Sequence, residues 1–251
     1  MSGHSKWSTI KHKKAALDAK RGKIFTKLIK EIAVSVREIG SDPDSNPRLR
    51  LAIQNAKGAN MPKDTIERAI KKGSGEGGAD YVEVTYEGYA SHGVAVFVEC
   101  TTDNINRTVS NVRSVFAKSG GSLGTNGSLE FIFDRKGVFV VPLPEGLDED
   151  DLILELIDGG AEDVEIEEAM IHITCEMDDF GNMQKKLEDM NLEAQSAELQ
   201  RIPNTYVSLD DGTFGQVMKL IDSLEDDDDV QKVYHNIEAS DDQFANLTNQ
   251  T

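Results

Sequence analysis

The spacing of apolar residues changes near position 73 of this 251-residue chain. From Ser8 to Lys72 the apolar positions recur at helical intervals and show none of the alternation that is typical of strands. The longest such stretch predicts a helix with a core face and a nearly opposite basic face. The core face holds Ile24, Phe25, Leu28, Ile29, Ile32, Val36 and Ile39, and the basic face holds Lys20, Lys23, Lys27 and Lys30.

Capping residues predict two further helices in this segment. Asn46-Pro47 is typical of an N-cap followed by the first helical residue, and Gly58 ends that helix. Pro62 opens the next helix, which Gly73 closes. The glycine-rich stretch 73–78 is predicted to be a flexible linker, because glycine restricts the backbone least.

Beyond the linker, short strands alternate with helices. The first predicted elements are strands 82–88, 94–101 and 128–133, with a helix from Asn104 to Lys118. Strand 136–142, helix 148–159, strands 162–167 and 169–175, helix 179–191 and strand 194–201 then follow in the ferredoxin-like order βαββαβ. Strand 204–208, helix 212–225 and strand 230–235 complete a second such unit with residues 94–133.

The predicted fold class is α+β, with an N-terminal helical domain and two ferredoxin-like α/β sandwich domains, one inserted into the other. The predicted boundaries are a basic helical domain at 1–78, a discontinuous ferredoxin-like domain at 79–134 and 204–240, an inserted ferredoxin-like domain at 135–203, and a tail at 241–251. The insertion point falls in a hairpin of the outer domain, and surface turns tolerate insertions best.

Charge is distributed very unevenly along the chain. Residues 1–72 contain 17 basic and 7 acidic side chains, a net charge of +10, whereas the whole chain has a net charge of −18. The remainder therefore carries −28, and the sequence pI of about 4.6 describes neither part. Because salt confines the field of a charge cluster to roughly 8–10 Å, the basic segment can bind a polyanion locally even on an acidic protein.

Several classes of function lack support in the sequence. The N-terminal residues are basic and contain no apolar run, and no stretch approaches the ~18 apolar residues of a membrane span, so we expect a cytoplasmic protein without membrane partners. The five histidines are scattered, and no HExxH, CxxC or GxSxG motif is present. We expect no enzymatic activity, no metal or other cofactor and no small-molecule substrate. Cys100 and Cys175 lie at apolar strand positions and are predicted to be inert core thiols.

Four local patterns have two interpretations each. The acidic run Asp226–Asp229 could collect a divalent cation, but it lacks calcium-loop spacing and is better interpreted as a solvated turn. The stretch 73–78 could cradle a phosphate, although its context favours the linker. Gly120–Gly124 is typical of a turn and has no P-loop lysine, and Lys136–Val140 resembles an RNA-recognition strand but lacks the stacking aromatics.

The basic N-terminus is the strongest candidate for function. Its lysines and arginine could neutralise phosphates, and the single tryptophan could contact a base or the backbone. The alternative is an ordinary solvated face with the tryptophan packed onto the helices. The candidate nucleic-acid-binding residues are Lys6, Trp7, Lys11, Lys13, Lys14, Lys20, Arg21, Lys23 and Lys27.

Several motifs resemble the YebC/PmpR family, which includes the mitochondrial translational activator of cytochrome oxidase. They are the segments 3–7, 14–28, 46–50, 60–62, 66–70, 86–89, 102–109 and 229–236, and the similarity extends from residue 1 to about residue 238. The resemblance implies a cytoplasmic protein of one helical and two ferredoxin-like domains. It also implies one of two roles, a DNA-binding transcriptional regulator or a ribosome-associated factor that aids translation of proline-rich sequences.

The sequence leaves three hypotheses. A non-enzymatic, nucleic-acid-binding regulator of gene expression could bind promoter DNA, or it could bind ribosomal RNA and so associate with the ribosome. No helix-turn-helix or zinc finger is evident in the sequence, and a basic arm suits the irregular surface of structured RNA. The third hypothesis is an acidic protein-interaction adaptor that does not bind nucleic acid directly.

Overall fold

A computed structural model describes residues 18–75, 80–144, 146, 148–240 and 242–243, with side chains from residue 22 onward. The helices are α1 (Asp18–Ile39), α2 (Pro47–Gly58), α3 (Lys63–Ser74), α4 (Ile105–Lys118), α5 (Glu149–Asp158), α6 (Phe180–Asp189) and α7 (Asp211–Glu225). The strands are β1 (Val82–Tyr89), β2 (Ala95–Thr102), β3 (Ser122–Leu123), β4 (Phe133–Pro142), β5 (Ala161–Glu167), β6 (Met170–Glu176), β7 (Ser196–Pro203), β8 (Val207–Ser208), β9 (Val230–His235) and β10 (Ile237–Glu238).

Most predicted elements are confirmed with small differences at their ends. The predicted helix 104–118 is α4, and the predicted hairpin of strands 162–167 and 169–175 is β5 and β6. The α+β fold class is also confirmed. On the predicted core face of α1, Ile32 and Val36 are buried, whereas the four members between Ile24 and Ile29 are only half-buried. Ile39 is 57% exposed at the last residue of the helix, where the chain turns through Gly40 with a φ of 126°.

The predicted strand over 128–133 is wrong, and the buried carboxylate of Glu87 explains why. Glu87 accepts hydrogen bonds from the backbone N–H groups of Gly127 and Leu129, both at 2.7 Å. A further turn bond joins the Ile132 N–H to the Leu129 carbonyl at 2.9 Å. Since these backbone groups bond to a side chain and to each other, they do not join a strand ladder, and β4 begins only at Phe133.

The described residues fall into two compact units. The first takes them from Met1–Lys30, Ala79–Asp134 and Ile202–Thr251, and the second from Glu31–Gly78 and Arg135–Arg201. The predicted helical segment 1–78 is thus shared between the units after Lys30. The predicted domain boundaries, and the insertion of one domain into another, stay predictions.

The first unit is built on a sheet of order β3-β1-β2-β9 with antiparallel pairing. One face packs against α4 and α7, since Val96, Val98 and Cys100 of β2 share a core with both helices. The opposite face, with Ala95 and Phe97, is covered by the turn residues around Leu129. The alternation of β2 therefore buries both faces of this strand.

The second unit is built on a sheet of order β5-β6-β4-β7. In chain order this is 2-3-1-4, the strand order of a ferredoxin-like sheet. Helices α5 and α6 pack on one face through buried leucine and methionine side chains, against alternate residues of β4 and β6. The core residues are Phe139, Val141, Leu152, Leu156, Ile171, Ile173, Cys175, Met183 and Leu187.

Helix α2 is fixed to this unit by amide hydrogen bonds and by a glycine. The Asn55 side chain donates to the Ala197 carbonyl and accepts from the Ala197 N–H, both at 2.9 Å. Gly58 lies so close to the next stretch of chain that a Cβ at this position would be 1.8 Å from the Gln195 carbonyl oxygen. Only glycine permits this approach of the two backbones.

We expect Gly58→Ala to lower the free energy of unfolding by about 3 kcal/mol, because the added methyl group must displace backbone atoms. Gly181→Ala is the matched control, since Gly181 lies in α6 of the same unit and a Cβ there would meet nothing within 4 Å. The control should change stability by less than about 1 kcal/mol. Urea denaturation of both variants measures the difference, and equal midpoints would contradict the proposed close contact.

Candidate nucleic-acid interface

Three lysines of α1 form a stripe that contacts the end of α7 and the acidic turn after it. Lys23, Lys27 and Lys30 are spaced by four and three residues, so they share one helix face. The Lys23 Nζ lies 2.6 Å from Oδ1 of Asp226, and the Lys27 Nζ donates to the Glu225 carbonyl oxygen at 3.2 Å. These cations lie at the C-terminal end of α7, where the helix dipole favours positive charge.

Lys30 is buried, although lysine is rarely buried without a partner. Its Nζ donates to the Asp228 carbonyl at 2.6 Å, to the Thr101 carbonyl at 3.2 Å and to Oδ1 of Asp229 at 3.1 Å. All three protons of the ammonium group are therefore used. The ammonium also lies 5.5 Å from the ring centre of Tyr81, close enough for a cation–π contact.

Asp229 is the partner that makes this burial possible, and it binds α4 as well as α1. Its Oδ2 accepts from Arg107 at 2.6 Å and from the Thr108 hydroxyl at 2.9 Å. Burial alone would raise the pKa of Asp229, but the hydrogen bonds from Arg107, Lys30 and Thr108 lower it below its ordinary value. The carboxylate is thus held in its charged form between two cations.

The four aspartates of the turn have different roles. Asp226 and Asp228 are exposed, as a solvated turn requires, but Asp229 is buried, so that interpretation is wrong for Asp229. Asp227 shapes the turn, because its Oδ1 accepts from the Asp229 N–H at 2.9 Å and its Oδ2 accepts from Asn111 at 3.0 Å.

The structure brings together only part of the predicted nucleic-acid-binding set. Lys23 and Lys27 meet at the α7 end, whereas for Lys20 and Arg21 only the backbone of α1 is described. The role of every residue in the set stays a prediction. Lys6, Trp7, Lys11, Lys13 and Lys14 lie outside the described residues.

The residues that position the lysine stripe were missed as functional candidates. Lys30 belongs to the predicted basic face, but its burial was not foreseen. Arg107 and Asp229 lie in two separate sequence motifs, and neither motif by itself indicates that the two side chains meet. The available signal was the abrupt end of an acidic run at an apolar strand, Val230–His235, which indicates that the last aspartate approaches the core.

The two cysteines are buried, free thiols. Burial, with the charges of Asp227 and Asp229, raises the pKa of Cys100 to about 12. Burial likewise raises the pKa of Cys175 to about 11. Both thiols are buried and protonated at neutral pH, as predicted for core positions. Among the residues that the structure describes, no three His, Cys, Asp or Glu side chains are placed to bind a metal ion.

A second group of exposed cations lies on α2 and α3 in the other compact unit. Lys57 and Lys72 are exposed, and Lys63 pairs with Glu67 at 3.7 Å. Carboxylates interleave with these cations, so the stretch from residue 31 to 72 carries a net charge of only +2. Within the described residues, none of the helices is both long enough and apolar enough to span a bilayer.

We expect Asp229→Ala to reduce the free energy of unfolding at neutral pH by about 3–5 kcal/mol, because it leaves Lys30 buried without its counter-charge. Asp228→Ala is the matched control, since it removes an exposed aspartate from the same turn and keeps the carbonyl that Lys30 uses. The control should stay within about 0.5 kcal/mol of the parent. Equal losses in urea denaturation would show that Asp229 contributes no more than any carboxylate of the turn.

The difference between the parent and Asp229→Ala should also depend on pH. The folded-state pKa of Asp229 is below the ordinary value of 3.8, so its contribution is fully present above that pH and is lost as the pH falls through the folded value. The stability difference should therefore be constant near neutral pH and shrink only below about pH 4. A difference that shrinks between neutral pH and about pH 5 would contradict the lowered pKa.

Two family models together match most of the chain. Residues 5–76 match the TACO1/YebC protein N-terminal domain, and residues 81–237 match the TACO1/YebC second and third domain. A protein of Amoebophilus asiaticus is 59% identical over 239 residues, which cover 94% of this chain and 98% of that protein. One of Idiomarina loihiensis is 51% identical over 249 residues, which cover 98% and 99%.

Both relatives are named probable transcriptional regulatory proteins. The crystal structure of a conserved hypothetical protein from Aquifex aeolicus is similar with a TM-score of 0.81 and 46% identity, and the match covers 90% of this chain and 94% of that chain. These matches confirm the resemblance that the sequence motifs indicated, and the chain belongs to the TACO1/YebC family.

Proposed function

We propose that this protein is a non-enzymatic regulator of gene expression that binds nucleic acid through its N-terminal basic segment. One observation carries the proposal. Residues 1–30 hold nine of the 27 basic side chains and a single acidic one, a net charge of +8 on a chain of net −18. Such a concentration of cations is the electrostatic footprint of a phosphate-binding segment.

The proposal includes a choice of target. The names of the relatives favour DNA, and the family resemblance implies either promoter DNA or the ribosome. We favour structured RNA of the ribosome in the cytoplasm, because the sequence contains no evident helix-turn-helix or zinc finger and a basic arm suits irregular RNA surfaces. For a ribosome-associated protein, the family resemblance implies a role in translating proline-rich sequences.

The absence of catalysis is part of the proposal. It is supported by the two buried thiols, whose raised pKa values leave them protonated, and by the scattered histidines. A regulator of this kind acts by occupying a site on its target. We therefore expect no turnover of nucleotides or peptides by the purified protein.

A second candidate function is protein binding by the acidic part of the chain. Helix α5 exposes Leu154 and Ile157, at 61% and 49%, and three carboxylates occupy its first turn. Apolar side chains bordered by carboxylates suit a basic protein partner. This adaptor function predicts that binding to polynucleotides is absent or independent of salt.

The test of nucleic-acid binding removes four cations from the N-terminus of the full-length protein. Lys6, Lys11, Lys13 and Lys14 are changed together to Gln, and binding to a labelled RNA hairpin and a DNA duplex is titrated at several salt concentrations. The parent should give a slope of log K against log salt of about −4 to −7, for six to eight phosphate contacts. The variant should bind at least about tenfold more weakly, with a slope about 3 smaller in magnitude.

The matched control changes Lys57, Lys63, Lys71 and Lys72 to Gln, which removes the same charge from exposed positions on α2 and α3. It should reduce the affinity and the slope much less. Equal effects of both variants would contradict a specific role for the N-terminus, and a parent that binds neither polymer would favour the adaptor. Crosslinking in cells followed by sequencing then separates ribosomal RNA from promoter DNA.

A further inference from the structure

The end of α7 and the acidic turn after it accept hydrogen bonds from two lysines that, in the proposed function, bind phosphates. Lys23 and Lys27 belong to the predicted phosphate-binding set. The Lys23 ammonium contacts the Asp226 carboxylate, and the Lys27 ammonium donates to the backbone carbonyl of Glu225. A carboxylate and a phosphate oxygen use the same cation in the same way, through charge-assisted hydrogen bonds. A phosphate at Lys23 therefore competes with Asp226 for the charge of the same ammonium group.

The contacts along the lysine stripe differ in how readily they can be exchanged. Lys30 and Asp229 are buried, with side-chain exposures of 10% and 7%, and their separation would leave charges without partners. Lys23 and Asp226 are 42% and 69% exposed, so water and salt already weaken their attraction. The buried pair fixes α1, and the exposed pair can open without unfolding it.

We propose that Glu225–Asp229 is an internal competitor that limits the affinity of the basic segment for nucleic acid. The turn presents exposed carboxylates at Asp226 and Asp228 beside the lysine stripe, and it is held in place by its own contacts from Asp227. A ligand with one or a few phosphates does not compete successfully with Asp226 for Lys23. A target that places several phosphates along the basic segment at once does. The turn thus makes binding more selective at the expense of affinity.

This inference rests on the proposed function and makes a prediction opposite to a loss of binding. Removing carboxylates from the turn should strengthen the binding of nucleic acid, because Lys23 becomes available and the local negative potential falls. The double variant Asp226→Asn/Asp228→Asn keeps the size of both side chains and leaves Asp227 and Asp229 in place. Circular dichroism and thermal melting of the full-length variant check that the fold is retained.

The matched control is Glu130→Gln/Asp134→Asn, which also removes two exposed carboxylates from the same compact unit. Glu130 lies in the turn that covers the face of the sheet opposite α4 and α7, whereas the lysine stripe contacts the C-terminal end of α7. Its effect measures the general gain from lower net charge.

Binding of both variants to the same labelled RNA hairpin is titrated at several salt concentrations. We expect the turn variant to bind about three- to tenfold more tightly than the parent at low salt, and the control less than about twofold. The slope of log K against log salt should steepen by about 0.7–0.9 in the turn variant alone, because Lys23 then gains a phosphate without giving up a carboxylate.

A third variant tests whether the tighter binding of the turn variant depends on Lys23. Lys23→Gln should weaken binding only slightly in the parent, but it should abolish most of the gain when added to Asp226→Asn/Asp228→Asn. Equal binding of the turn variant and the control would overturn the inference while leaving the proposed function intact. A parent that binds no RNA or DNA at any salt concentration would overturn the proposed function itself.

Discussion

The buried carboxylate of Asp229 is the interaction on which the first compact unit depends. It binds Lys30 of α1 and Arg107 of α4 through its two oxygens, and its carbonyl accepts from the Thr101 N–H of β2 at 2.8 Å. Without this anion neither the burial of Lys30 nor the position of α1 would be favourable, since an unpaired buried ammonium is too costly. A single side chain therefore places the helix that continues from the basic N-terminus.

Lysines on one face of α1 serve either folding or the proposed binding, and their surroundings decide which. Lys30 and Lys23 lie two turns apart on one helix, yet the first is enclosed with its partner and the second faces solvent beside an exposed aspartate. Low solvent access makes the first pair structural, while screening keeps the second exchangeable. The two residues have the same type and the same charge, so the sequence alone does not distinguish the structural lysine from the exchangeable one.

Local patterns were sufficient for most of the fold. The alternation of β2 and the N-cap of α2 at Asn46 are encoded within a few residues, and both elements were predicted correctly. The turn at 127–132 was not, because it depends on Glu87, a side chain some forty residues away. The candidate site shows the same limit. Helical spacing predicts the lysine stripe, but the ion pairs of its lysines with Asp226 and Asp229 join residues about 200 positions apart and leave no local pattern.

The separation of Lys30 from Asp229 by 199 residues has a consequence for the newly made chain. Synthesis proceeds from the N-terminus, so the nine cations of the first 30 residues leave the ribosome long before the acidic turn has been made. During that time Lys23, Lys27 and Lys30 lack their intramolecular acceptors, and nearby polyanions are the available counter-charges. On the proposed function, the nascent chain therefore offers a polyanion more unpaired cations than the finished protein does, and completing its last strands ends that state.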